Sequence, residues 1–153
     1  MAVHTALLPA PLRGVMAVHT ALLRLRTQGD GDIVDLSPGL AGVLRTCELR
    51  RGVVCVFVEG STAAVTTMEY EPGGVADLQA LLDRLVPASG AYAHNERNRD
   101  TNAHAHLRAS LVGPSVSVPV ASGELGLGTW QQIVLVDFDD RPRDRVVSVH
   151  VLS

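Results

Sequence analysis

The sequence predicts an α+β fold, in which a mostly antiparallel, mixed sheet carries two main helices packed on it in two layers. Valine- and leucine-rich segments of strand length follow one another across short turns, which is typical of hairpins. Only two segments repeat apolar residues at the i, i+3, i+4 and i+7 spacing of an amphipathic helix. A chain of 153 residues is long enough for one domain with one core.

The chain opens with a literal repeat, because MAVHTALL at residues 1–8 returns at residues 16–23. The opening lacks the basic region and the long apolar core of a signal peptide. We therefore expect residues 1–15 to be a duplicated or spurious segment without order, and residues 16–153 to form the single domain.

The first part of the domain predicts two strands followed by a helix. Residues 17–26 and 32–36 have strand patterns and are separated by a Gly-Asp-Gly-Asp turn. The helix is predicted to start at Ser37 and Pro38, because serine caps helix N-termini and proline suits the first helical position. Its apolar face is formed by Leu40, Val43, Leu44 and Cys47.

The middle of the chain predicts two strands and the second helix. Residues 52–58 are continuously apolar, which favours a central strand covered on both faces, and residues 61–70 predict the next strand. The second helix is expected over residues 72–86 and ends before Pro87. Its buried stripe is predicted to consist of Val75, Leu78, Leu81, Leu82 and Leu85.

A long polar connection is predicted over residues 88–106. Loops of this length in compact domains are usually functional or mobile. A short helix is expected to follow over residues 106–111, and the valine-rich segments 115–121, 130–138 and 144–152 predict three closing strands.

Composition excludes several classes of function. The formal net charge is -3 and the chain has only five aromatic residues, which argues against a nucleic-acid partner. Every basic residue is arginine, so a Schiff-base lysine and the lysine of a phosphate-binding loop are both excluded. Arginine side chains or backbone N–H groups would therefore have to bind the phosphate of the expected partner, a small phosphorylated metabolite.

Cysteine usage and hydropathy predict the compartment and the assembly. Cys47 and Cys55 suit a reducing cytoplasm and are expected to be small buried apolar residues. The apolar runs are far shorter than a membrane span of about 20 residues, so no membrane partner is expected. The mean hydropathy of +0.20 then favours a buried interface between copies of the chain.

Three of the six histidines, His94, His104 and His106, fall within thirteen positions. On a helix His104 and His106 would point about 200° apart, so a shared ligand requires loop or strand geometry. Three imidazoles with an open position would hold a catalytic divalent ion, Zn or Mg, as a cofactor. The alternative is that these histidines make ordinary hydrogen bonds in a loop.

A family resemblance rests on the end of this region. The matching positions are Ser115, Val118, Gly123, Leu125, the box Gly128-Thr129-Trp130-Gln131, and Ile133. With STAAVTTMEYEPG and NAHAHLRASLVGPS, they resemble the signature of the YjbQ-like family, also called the secondary thiamine-phosphate synthase family, over about residues 16–152. The resemblance implies a homotrimer and a weak thiamine-phosphate synthase activity, which joins a pyrimidine pyrophosphate to a thiazole phosphate.

The resemblance also suggests which residues form the site. It implies catalytic roles for His94 and His106, which match recurring family histidines, and for Glu69, which matches a strand-end glutamate and could instead be a solvated charge. The chain departs from the family at Gly60, where many relatives have histidine, and at Asn95, where many have aspartate. These departures remove a possible ligand and a possible general base, because an amide cannot take a proton near neutral pH.

The residues themselves add candidate substrate ligands. Arg108 could hold a phosphate in a bidentate contact or could be a surface charge on a helix. Trp130 is expected mainly to pack, and we expect the histidines to converge on the wall that its box supplies. The predicted substrate-binding residues are Asn95, Asn102, Arg108, Ser115, Thr129 and Gln131.

Three functions remain open from the sequence. The first is the thiamine-phosphate synthase-like transferase that the resemblance implies. The second is a metal-dependent hydrolase or transferase acting on a small phosphorylated metabolite. The third is a non-catalytic trimeric module that binds a ligand.

Overall fold

The computed structural model describes residues 4–7 and 17–153. Its strands are β1 His4–Leu7, β2 Val18–Thr27, β3 Asp32–Asp35, β4 Arg51–Val58, β5 Ala63–Met68, β6 Ser115–Ala121, β7 Glu124–Leu125, β8 Gln132–Asp137 and β9 Arg143–Leu152. Its helices are α1 Ser37–Cys47, α2 Pro72–Leu85, α3 Ala93–Asn98 and α4 Ala103–Val112. The predicted α+β class is confirmed.

The strands form two sheets, where the sequence predicted one. The larger has the order β1-β2-β9-β4-β6-β7 and the smaller the order β3-β8-β5. Every strand pair among the described residues is antiparallel, as the short hairpin connections favour. β8 lies at the centre of the smaller sheet and is almost entirely buried.

The smaller sheet lies between the larger sheet and helices α2 and α4, whereas α1 packs in the buried cluster that the two sheets share. Ile133 and Leu135 of β8 share a buried cluster with Val54 and Val56 of β4. The alternate residue Val134 packs instead in a cluster with residues of α2 and α4. Successive strand residues point to opposite faces, so a strand buried on both sides needs a second covering layer.

The N-terminal repeat was expected to lack order over residues 1–15. Within it, His4–Leu7 is described as a strand that pairs with residues 21–24 of β2. His4–Leu7 of the first copy thus lie along residues 21–24, which include the end of the second copy. The other residues of this segment lie outside the described residues, so the expectation for the whole segment stays a prediction.

The helix starts follow the predicted positions with different capping. Ser37 opens α1, but its hydroxyl accepts the N–H of Ile133 at 2.9 Å and so ties the helix to β8. α2 is capped by Glu71, whose carboxylate accepts the N–H groups of Gly73 and Gly74. Cys47 and Cys55 are free and half-buried, and burial raises the pKa of the Cys47 thiol.

The predicted loop over residues 88–106 is wrong in part, because α3 and the first turn of α4 lie inside it. Both helices are polar at the positions that suggested a loop. The side chain of Asn95 in α3 accepts the N–H of Ala103 at 3.0 Å and so caps the start of α4. Local capping therefore makes helices where composition alone favours a loop.

Candidate functional site

Two histidines meet where α3 and α4 approach the loop before β5. The ring centroids of His94 and His106 are 4.8 Å apart, with the ring planes tilted by 53°. Both side chains are half-buried. Among the predicted site residues, these two imidazoles form the contact between groups that can donate and accept protons.

Each imidazole is oriented by a neighbouring group. His106 Nδ1 lies 3.1 Å from the backbone oxygen of Ser61, and a carbonyl can only accept, so this nitrogen carries the proton. His94 Nδ1 lies 3.2 Å from the amide nitrogen of Asn98, which donates to it. In the neutral rings, His106 Nε2 is therefore a proton acceptor and His94 Nε2 a proton donor.

A buried charge network supports the loop that binds His106. Arg145 is 7% exposed and donates through Nε and Nη2 to both carboxylate oxygens of Asp137. Its Nη2 also contacts the hydroxyl of Thr62 at 2.9 Å. Because Thr62 follows Ser61, the network holds in place the loop whose Ser61 oxygen binds His106.

Asp139 joins the same network. Burial opposes ionisation of this carboxyl, but hydrogen bonds from Arg143 and Thr62 and the positive charge of Arg143 outweigh burial and lower its pKa to about 2. The same contact raises the pKa of Arg143. The carboxylate is therefore ionised at neutral pH and holds the arginine in place.

The predicted three-histidine metal set is not assembled within one chain. His104 lies on α4 and is 4% exposed. Its Nδ1 has no hydrogen-bond partner among the described residues. Across those residues, no group of three histidine, cysteine, aspartate or glutamate side chains could hold a metal ion. His104 and His106 diverge because they lie on a helix, where a spacing of two residues separates them by about 200°.

The two asparagines near the pair serve the backbone. The side chain of Asn95 caps α4, and Asn102 is buried at the N-terminus of that helix. The side-chain oxygen of Asn102 has no partner among the residues that the structure describes. Neither side chain is presented to a ligand in the way the sequence predicted.

The expected phosphate contact of Arg108 is not supported either. Its Nε and Nη2 donate to the backbone oxygen of Val86 at 3.0 and 2.8 Å, and Nη2 also pairs with Asp83 at 2.7 Å. The side chain is 5% exposed. Arg108 therefore closes the end of α2, because the carbonyl groups at a helix C-terminus need donors.

The expected convergence of the histidines on the tryptophan box is wrong within one chain. Gln131 of the box binds Thr67 near the end of β5, whereas His106 binds Ser61 just before its start. Six strand residues span about 20 Å, so the two groups lie at opposite ends of the smaller sheet. Glu69, Thr129 and Trp130 belong to the box end, and Trp130 is 70% exposed.

Within the described residues, the Ser115 side chain makes no hydrogen bond to the histidine pair. It is exposed at the start of β6 and pairs in register with Phe57 of β4. The side chains brought together are thus His94 and His106 alone among the predicted site residues. The other predicted residues cap helices, close α2 or lie at strand ends.

Sequence reasoning missed Ser61, Asn98 and Arg145. Arg145 could have been found, because it alternates with Val147, Val149 and Val151 on the inward face of β9. A charge at an inward position of a strand indicates a buried partner. Ser61 contributes only its backbone oxygen, and no residue-type pattern predicts such a contact.

A large cleft lies away from the histidine pair. It has a volume of about 910 Å³ and lies between the end of α1 and the turn that joins β6 to β7. Arg45 and Arg50 line it together with Glu48 and Glu124, so its formal charges balance. It holds no histidine, and we assign the chemistry to the histidine pair.

Relatives and solved structures agree with the fold. Residues 21–153 match the family described as UPF0047 protein YjbQ-like. A UPF0047 protein of Methanothermobacter thermautotrophicus is 39% identical over 136 residues, covering 89% of this chain and 93% of the relative. One from Archaeoglobus fulgidus is 42% identical over 130 residues, covering 85% and 98%.

Solved structures give the same result. A YbjQ-like protein of unknown function from Sulfolobus solfataricus matches with a TM-score of 0.86 and 31% identity, over 91% of this chain and 99% of that one. A hypothetical protein from Aeropyrum pernix matches with a TM-score of 0.82 and 34% identity, over 88% and 98%. Within the described residues, no helix has the length and apolar character needed to cross a bilayer. The chain belongs to the YjbQ-like UPF0047 family.

Proposed function

We propose that this protein is a cytoplasmic transferase for small phosphorylated metabolites, with His94 and His106 as its proton-handling groups. The observation that carries the proposal is the pairing of two imidazoles with opposite hydrogen-bonding roles, 4.8 Å apart between ring centroids. His106 Nε2 can take a proton, and His94 Nε2 can give one. A transfer reaction uses such a pair to activate one group and to assist the departure of another.

The specific reaction proposed is the weak thiamine-phosphate synthase reaction. The ring nitrogen of a thiazole phosphate attacks the methylene carbon of a pyrimidine pyrophosphate, a C–N bond forms, and the C–O bond to diphosphate breaks. His94 Nε2–H would donate to the departing diphosphate, which carries the developing negative charge. The thiazole nitrogen has no proton to lose, so His106 Nε2 would instead accept one from the amino group of the pyrimidine as diphosphate leaves, and would return it once the C–N bond has formed. No step is assigned to a divalent metal, because one chain brings together only two of the three predicted histidine ligands.

Purified untagged protein with its full chain tests this proposal. We expect formation of thiamine phosphate from the two substrates, and a loss of kcat of about 100-fold or more in His94→Gln and in His106→Gln. His150→Gln is the matched control, because His150 lies on β9 and its ring contacts Thr20 instead of the pair. That control should keep the turnover of the unaltered protein.

Two results would reject parts of the proposal. Full turnover in the double variant His94→Gln/His106→Gln would remove the histidines from the chemistry. No product from the unaltered protein, together with failure to complement a thiamine auxotroph under strong expression, would exclude the synthase reaction. Metal analysis of the same sample tests the metal-dependent alternative. A stoichiometric ion whose removal abolishes activity would favour that alternative.

A further inference from the structure

The loop Gly60–Thr62 has unused donors on a rigid base. Among the described residues, the backbone N–H groups of Gly60, Ser61 and Thr62 make no hydrogen bond within the chain. Gly60 has a φ of +109°, so the chain turns sharply between β4 and β5. Successive backbone N–H groups in such a turn form a concave site for anions.

The guanidinium group of Arg145 lies next to this loop. Arg145 uses Nε and Nη2 for Asp137 and Thr62, and its Nη1 makes no hydrogen bond within the described part of the chain. A Cβ atom at position 60 would lie 3.1 Å from that Nη1. Because glycine has no Cβ, the space beside Nη1 stays open toward the exposed loop.

The histidine pair adjoins the same loop. His106 Nδ1 binds the backbone oxygen of Ser61, the residue after Gly60. Covalent geometry then limits His106 Nδ1 and Arg145 Nη1 to no more than about 14 Å from each other. A diphosphate group that contacts this loop would therefore bind to the same segment that holds the His106 imidazole.

We propose that the Gly60–Thr62 loop and Arg145 Nη1 form the site that binds the phosphate or diphosphate group of the substrate. The proposal rests on the transferase function proposed above and adds the anchor that function requires. Arg145 is held by both oxygens of Asp137, so its free N–H groups are positioned before an anion arrives. Asp137 and Asp139 lie within 3.6 Å of Arg145 on its buried side, and Glu59 adds an exposed carboxylate just before the loop.

Pyrophosphate and inorganic phosphate are the probes, titrated into the full chain by calorimetry at low ionic strength. Gly60→Ala should weaken pyrophosphate binding about tenfold, because it places a Cβ against Nη1 and removes a charge-assisted contact. Gly113→Ala is the matched control, since Gly113 has a φ of +98° but nothing within 4 Å of the added atom. It should bind pyrophosphate like the unaltered protein.

Two further measurements support the comparison. Glu59→Gln should strengthen binding about threefold by removing a negative charge near the loop. In the unaltered protein, pyrophosphate should shift the amide resonances of Gly60, Ser61 and Thr62, a test that needs no variant to fold. Equal affinities for Gly60→Ala and Gly113→Ala, or unshifted loop amides at saturation, would overturn the proposal.

The outcome separates this inference from the proposed function. If pyrophosphate binds at the loop but the histidine variants keep full turnover, the anchor stands and the catalytic roles fail. If the histidine variants lose turnover while Gly60→Ala binds normally, the catalytic roles stand and the anchor fails. Absence of pyrophosphate binding at millimolar concentrations would reject the anchor directly.

Discussion

Asp139 is 1% exposed, yet its carboxyl is ionised because Arg143 and Thr62 donate to it. Its pKa is lowered from 3.8 to about 2, so the folded protein holds this proton less tightly than the unfolded chain does. The stabilisation is therefore fully present above about pH 4 and is lost as the pH falls toward 2. A shift of this size corresponds to about 2 kcal/mol.

We predict that Asp139→Asn lowers the free energy of unfolding by about 2 kcal/mol at pH 6, because an amide cannot pair with the charge of Arg143. The difference between the two proteins should shrink as the pH falls from 4 toward 2, where the native carboxyl also becomes neutral. Urea unfolding followed by circular dichroism at pH 6, 4 and 3 measures this difference.

Asp144→Asn provides the control for a carboxylate on the surface. Its contact with Arg26 is 3.4 Å long, and the two side chains are 83% and 66% exposed, so the pair should contribute little. A difference between Asp139→Asn and the unaltered protein that stays constant across this pH range would contradict the assigned cause.

The residue types indicated the histidine pair but not the partners that orient it. His94 and His106 stand out in the sequence because both are polar residues in a valine-rich chain. Arg108 was misassigned because an arginine on a helix can bind a ligand or close a neighbouring helix, and only the position of Val86 decides between them. Contacts to backbone atoms cannot be predicted from the pattern of residue types.

At the scale of elements, α4 fixes the end of α2 through one side chain. Arg108 gives two N–H groups to the backbone oxygen of Val86, which is itself buried. We predict that Arg108→Met lowers the free energy of unfolding by about 2–3 kcal/mol, because methionine keeps the apolar stem but leaves that carbonyl without a donor. Chemical unfolding at pH 7 measures the change.

Arg84→Met is the matched control, because Arg84 is exposed on α2 and its side chain makes no hydrogen bond among the described residues. It should unfold like the unaltered protein. Arg108→Met should also leave pyrophosphate affinity unchanged. A loss of pyrophosphate affinity in a folded Arg108→Met protein would show that Arg108 is a phosphate ligand.

Most elements follow from periodicity, and the errors have a common cause. The apolar stripe of α1 and the continuous run of β4 each predict one element type, and the structure confirms both types. The prediction that β4 is covered on both faces is wrong within one chain, because Val53 and Phe57 on its second face are exposed. α3 and the start of α4 were read as a loop because their sequence, AYAHNERNRDTNAHAH, is polar. Their helical form depends on the Asn95 cap and on the burial of His104 and Ala105, which composition does not reveal.

At the scale of the whole molecule, the sequence could not place the strands into two sheets. Alternation predicts which residues are buried, but it does not say whether the covering layer is a helix or a second sheet. The same limit explains why the histidines and the tryptophan box were expected together. They are separated by the length of β5, and chain order does not indicate which ends of neighbouring strands meet.

Several large apolar side chains remain exposed on the helical layer. Leu85 of α2 is 62% exposed and Leu111 of α4 is 63% exposed, while Trp130 at the box end is 70% exposed. Such exposure on one chain favours association with further copies of it. An interface of this kind could bring the box end of one copy toward the histidine end of another.

Because the family resemblance implies a homotrimer, we predict a mass in solution of about three times 16.2 kDa by light scattering. Leu85→Glu and Leu111→Glu should each shift the protein toward monomer, because an interface that buries these leucines would have to bury an unpaired carboxylate. Ala76→Glu is the matched control, since Ala76 is exposed and lies on the opposite side of α2 from Leu85. A monomeric mass for the unaltered protein across micromolar concentrations, or equal trimer content in Leu85→Glu, Leu111→Glu and Ala76→Glu, would show that the leucine surface has another role.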